Sequence, residues 1–126
     1  MINPLYLPEL REMIAQKNSD SLREFCEALH PARTADFMEG LSAEEAWFVL
    51  GHTDALTRGS IFAYFDENFQ VNLVQAINRT EIAALVSELA PDDRVDLLNN
   101  VPQVIVDELL PLLPSEERHD ILHLRS

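Results

Sequence analysis

The 126-residue chain is short of positive charge: nine Lys and Arg stand against 22 Asp and Glu, giving a net charge of −13, and Lys17 is the only lysine. That balance argues against nucleic acid, because neutralising phosphates takes clustered Lys and Arg. It equally disfavours an anionic membrane face and favours cations or a basic partner surface. Cysteine is nearly missing. Cys26 can form no internal disulfide, which fits a reducing compartment. Only three glycines occur, and no alternating run is closed by Asn-Gly or Asp-Gly, so a β protein rich in hairpins is excluded. No apolar run approaches the roughly eighteen residues of a membrane helix. Met1 to Leu10 lacks the basic start of a signal peptide. There is no glycine-rich phosphate loop, Gly-x-Ser-x-Gly elbow or Cys-x-x-Cys pair, and the acids fall on presumed exposed faces, so no enzyme is expected.

What the chain does have is a twelve-residue period. Starting at Asn18 and stepping by twelve gives His30, Ser42, Asp54, Asp66, Asn78, Ala90, Pro102 and Pro114. Seven places past each mark stand Phe25, Phe37, Val49, Ile61, Leu73, Leu85, Leu97, Leu109 and Ile121. One place further stand Cys26, Met38, Leu50, Phe62, Val74, Val86, Leu98, Leu110 and Leu122. Eleven places past each mark the column runs from Leu29 through Leu41, Thr53, Phe65, Ile77, Leu89, Val101 and Leu113 to Arg125. Positions i, i+1 and i+4 share one face of a helix, so each unit is a short helix with one apolar stripe. The marks are largely N-cap types, Ser42 with Glu45 fits a capping box, and Pro31 and Pro91 suit a first helical position. Helices this short are marginal alone and must bury their stripes on neighbours. Self-similarity at a fixed short period therefore predicts an all-α stack of about ten short helices. With 47% hydrophobic residues the chain is expected to fold as one domain over residues 1–126, residues 1–17 forming a degenerate first unit with Met13 and Ile14 in the two main columns.

The segment His30-Pro31-Ala32-Arg33-Thr34-Ala35-Asp36-Phe37-Met38-Glu39-Gly40-Leu41 resembles the opening of a known family. So do Leu89-Ala90-Pro91-Asp92-Asp93-Arg94-Val95-Asp96-Leu97-Leu98 and Pro114-Ser115-Glu116-Glu117-Arg118. They resemble the cytosolic N-terminal domain of MgtE magnesium channels, over roughly Leu22 to Leu124. The resemblance implies a right-handed superhelix, followed in the family by a pair of CBS domains, a connecting helix and a membrane pore. It implies a piece of a longer membrane protein, homodimeric when whole, with this segment soluble on the cytoplasmic face of the membrane and its CBS domains as partners. The general fold is shared with a flagellar motor-switch domain. The alternative function is therefore a helical interaction module that docks a basic protein without metal.

Asp92 and Asp96 are four apart, so their carboxylates project from one helix face. Mg²⁺ is a hard cation that keeps several waters, so one or two carboxylates per surface suffice. The resemblance implies that Asp92 and Asp96, with Asp93, share a weakly bound regulatory Mg²⁺ with a CBS domain. A structural account competes with it, because acids in a first turn complement the helix dipole in any case. The same holds for Glu44–Glu45, Asp66–Glu67 and Glu116–Glu117. The family often carries a further acid where this chain reads Arg58, Gly59 and Ser60. His119 and His123, four apart, use a spacing found in zinc sites, but no third ligand is evident and adventitious metal is the expected limit. Phe62, Tyr64, Phe65, Phe69 and Trp47 are expected in or beside the core.

Overall fold

A computed structural model describes the backbone of residues 6–124 and the side chains of residues 8–119 and of Ile121. Ten α-helices follow one another with no strand among the described residues: α1 (Tyr6–Gln16), α2 (Ser19–Ala28), α3 (Pro31–Met38), α4 (Ala43–Leu50), α5 (Ala55–Tyr64), α6 (Glu67–Ala76), α7 (Arg79–Glu88), α8 (Pro91–Asn100), α9 (Gln103–Leu109) and α10 (Ser115–Leu124).

The twelve-residue marks set where the helices begin. First-turn amides donate to the side chains of Asn18, His30, Ser42, Asp54, Asp66 and Asn78, each taking up one of the donors that a helix start leaves free. Ser42 and Glu45 close the reciprocal capping box. Ala90 offers no side-chain cap, and Pro91 opens α8 instead. In the last full unit, α9 ends at Leu109 and the chain tightens into a 3-10 turn over Leu110–Leu112. Pro111 has no N–H to continue the helical ladder. The α1–α2 junction uses Lys17 in the left-handed region, φ 54°. There the Asn18 N–H donates to Met13 O and the Lys17 N–H to Ile14 O, each at 3.1 Å, the two bonds of a Schellman closure.

From α3 onward, each helix packs chiefly on the helix two places along, whereas α1 and α2 also pack closely on each other. Helices α1, α3, α5, α7 and α9 form one row, and α2, α4, α6, α8 and α10 the other. All three apolar columns face the contiguous core between them. From Phe37 to Ile121 every residue of the first column is buried, and from Cys26 to Leu98 every residue of the second. Phe25 and Leu110 pack at its edge. In the third column Leu29 breaks the pattern at 41% exposed, whereas Leu41 through Leu113 are buried. Met13 and Ile14 of α1 pack on the core, as a degenerate first unit requires. Phe62 and Phe65 are buried and Phe69 and Trp47 pack against the core. Tyr64 is the aromatic that departs from expectation. It is exposed, with its ring edge-on to His30.

A fourth column, four places past each mark, was not visible in the hydropathy pattern. It holds Leu22, Thr34, Ala46, Arg58, Gln70, Ile82, Arg94, Val106 and Arg118. Its apolar members and Thr34 are buried. Arg118 donates to Ser115 Oγ within its own helix, but Arg58, Gln70 and Arg94 turn inward and donate to the end of the preceding helix. Arg58 reaches Leu50 O at 3.1 Å, Gln70 reaches Phe62 O at 2.8 Å, and Arg94 reaches Val86 O at 3.2 Å. The carbonyl in each case lies eight residues back. These side chains satisfy helix C-terminal carbonyls that the short turns would otherwise leave open.

Candidate acidic face

The two rows differ in charge. The even-numbered helices with their caps carry thirteen of the acids and three arginines, a net of −10 out of the chain's −13. Two places past the mark, the even row reads Asp20, Glu44, Asn68, Asp92 and Glu116, all exposed. The same place in α3, α5, α7 and α9 reads Ala32, Leu56, Thr80 and Val104. One side of the stack therefore presents carboxylates at a repeat of two helices, interrupted by Asn68, and the other carries no charge at that level. Such an array raises the local concentration of cations.

Within this row, α8 carries the three predicted metal residues in its first two turns. Asp92 and Asp96 are exposed and Asp93 is half-buried. Asp93 and Asp96 turn toward α6, where with Glu67, Gln70 and Asn100 they line a cleft of about 210 Å³ whose floor includes Phe62 and Leu89. Asp92 lies outside that cleft. Dipole complementation accounts for Glu67 in the sequence, and its place here follows from i-to-i+2 packing, which sets the first turn of α6 beside α8. Arg94, the base within this acidic run, does not offset it at the surface. Only 7% exposed, it sends Nε to Val86 O and Nη2 to Leu89 O, and lies 3.4 Å from Glu117. The outward groups of α8 are therefore hard carboxylate oxygens, a donor set that suits Mg²⁺. Among the described residues no group of three or more His, Cys, Asp or Glu is arranged to enclose a metal.

The other acid pairs have local work. Glu45 completes the capping box, Asp66 caps α6, and Glu117 accepts from Ser87 Oγ at 2.7 Å. The position where the resembling family often has an acid is occupied structurally. Arg58 pairs with Glu88 at 2.9 Å, and its guanidinium is held cationic by that partner. A side chain on Gly59 would place Cβ 2.9 Å from Glu88 O. His119 lies on α10, and the side chain of His123 is outside the described residues. No described helix is long and apolar enough to cross a membrane.

Residues 29–126 match the family model described as the MgtE intracellular N domain. The chain belongs to that family. A crystal structure described as the soluble part of a magnesium transporter is similar, with a TM-score of 0.80 at 22% identity, and covers 94% of this chain and 47% of its own. At that identity the likeness establishes the all-α fold. The chain spans about half the length of that structure. No curated protein matches the sequence. The family match begins at Leu29, so α1 and all of α2 precede it.

Proposed function

We propose that this MgtE N domain is the cytosolic regulatory part of a magnesium channel, and that it senses Mg²⁺ through the acidic row centred on Asp92, Asp93 and Asp96. The observation that carries the reading is the segregation of charge, with −10 on one row and Arg94, the base between Asp93 and Asp96, turned inward to helix-end carbonyls. Asp92 and Asp96, with Asp93 and Glu67 beside the cleft, would hold the ion weakly, completed by a following CBS domain of the same polypeptide. Mg²⁺ supplies divalent charge that offsets repulsion between two acidic surfaces. When it is scarce, the carboxylates of the even row repel the facing domain. When it is plentiful, that repulsion is offset, the domains close together and the pore is biased shut. A ligand shifts such an equilibrium only by its differential affinity for the two states, so several weak sites acting together suffice. The whole protein is read as a homodimer in the cell membrane with this domain on its cytoplasmic face.

The test is the double neutralisation Asp92→Asn with Asp96→Asn in the full-length channel. It should raise the Mg²⁺ concentration needed for closure. An unchanged Mg²⁺ response removes these residues from sensing. Domain association that depends on salt but is indifferent to Mg²⁺ would point to a metal-free docking module.

A further inference from the structure

Among the described residues, α2 is the first helix of the even row. Beside it lies a groove of about 280 Å³ between α1 and α2, floored by Leu10, Met13, Phe25, Ala28 and Leu29. The spacing is helical on both walls: Leu10 and Met13 are three apart, and Phe25, Ala28 and Leu29 follow i, i+3, i+4. Leu29 is the member of its column that stays exposed, at 41%, while Leu41, Phe65, Ile77, Leu89, Val101 and Leu113 are covered. The rim is acidic. Glu9 and Glu24 border the groove, and Asp20 and Glu27 line an adjoining hollow with Glu24. The arginines nearby are engaged, Arg23 with Asp20 at 3.0 Å and Arg11 with Gly40 O at 3.0 Å and Glu45 at 3.5 Å. Of the groove residues only Leu29, where the family match begins, falls inside the matched segment.

We propose that this groove docks an amphipathic helix of a partner protein that carries an apolar stripe flanked by Lys or Arg. The stripe packs along the groove and covers Leu29, Met13 and Phe25, as in other helix-in-groove recognition. The flanking cations meet Glu9 and Glu24, which sets the partner's charge and orientation more than its affinity. The proposal is independent of Mg²⁺ sensing, since the groove lies on α1–α2 and the acidic cleft on α6–α8.

The probe is a fluorescein-labelled Leu/Lys peptide of about 14 residues, near the length at which an isolated helix begins to form, with a Leu/Glu peptide of the same pattern as control. Anisotropy titrations with the 126-residue chain at about 0.15 M ionic strength should show saturable 1:1 binding of the Leu/Lys peptide. Leu29→Asn should weaken it about tenfold, the scale of losing a central apolar contact. Glu9→Lys with Glu24→Lys, both at exposed positions, should weaken it severalfold without changing the thermal midpoint. The proposal is overturned by no binding, by binding indifferent to all three substitutions, or by equal binding of the Leu/Glu peptide. It is also overturned by self-association that Leu29→Asn abolishes, which would assign the groove to a second copy.

Discussion

Arg58 and Glu88 tie α5 to α7 through a bidentate pair, Nε to Oε1 at 2.9 Å and Nη2 to Oε2 at 3.0 Å, while Nη1 of the same guanidinium donates to Leu50 O and Thr53 O. One side chain on α5 thus joins the end of α4 and the end of α7. Replacing Arg58 with Met leaves a carboxylate and two carbonyls without their donor. Each side chain of the pair keeps 19% of its exposure, so the loss should be about 2 kcal/mol, below the 3–5 of a fully buried pair. Arg58→Lys should recover little, because an ammonium cannot reproduce the fork. Urea unfolding of both variants checks this.

The core columns predict a sharp contrast between two leucines. Leu97, 2% exposed, should cost about 3 kcal/mol on replacement by Ala. Leu56, 80% exposed, should change stability by less than about 0.5 kcal/mol. Equal losses in a denaturant titration would contradict the assignment of rows and faces.

At Gly59 two effects oppose each other. Alanine improves helix propensity by about 1 kcal/mol. Its Cβ, however, would meet Glu88 O at 2.9 Å, a backbone atom that cannot swing away. Gly59→Ala should therefore lower the thermal midpoint. Lys17→Gly should do the reverse, relieving a left-handed residue at φ 54° and gaining about 0.5 kcal/mol net of glycine's greater freedom when unfolded.

Asp54 titrates below the usual carboxylate range because it accepts from the Thr57 N–H at the start of α5. A lowered folded pKa gives stability that is present above the unfolded value and lost as pH falls through the folded one. Asp54→Asn keeps an acceptor for the cap but cannot titrate. Its melting temperature should fall less than that of the parent as pH is taken down through the carboxylate range. Parallel decline in both proteins would remove Asp54 from the acid sensitivity.

Burial drives the Cys26 thiol up to about 12, and its Sγ sits 3.9 Å from Val49 O. The reactive thiolate is then scarce at neutral pH. A thiol reagent should modify native protein only as fast as the stack opens, and unfolded protein at once.

The helices were legible in the sequence because two kinds of signal agreed: an apolar stripe at plus seven, eight and eleven, and a capping oxygen at Asn18, Ser42, Asp54, Asp66 and Asn78. The fourth column escaped notice because it mixes Leu22 and Ile82 with Arg58, Gln70 and Arg94. Hydropathy reads those three as solvent-facing, whereas short turns leave carbonyls that only a long donor can reach. The division into rows was hidden for a related reason. A twelve-residue period treats neighbours as equivalent, but helices pack on the next but one, so the charge pattern repeats every 24 residues. Asp92, Asp93 and Asp96 are legible in the sequence as acids in the first two turns of one helix, but not the turning of Asp93 and Asp96 toward α6. Glu67, which shares the cleft with Asp93 and Asp96, needed the packing to be known first.

The central claim is that the even row closes on a facing domain as Mg²⁺ rises. The direct measurement is the distance between a spin label at exposed Asn99 of α8 and one on the following domain of the full-length protein, across a Mg²⁺ titration. The account predicts that the distance shortens with Mg²⁺, and that Asp92→Asn with Asp96→Asn moves the transition to higher Mg²⁺. A distance that does not change with Mg²⁺ would contradict it.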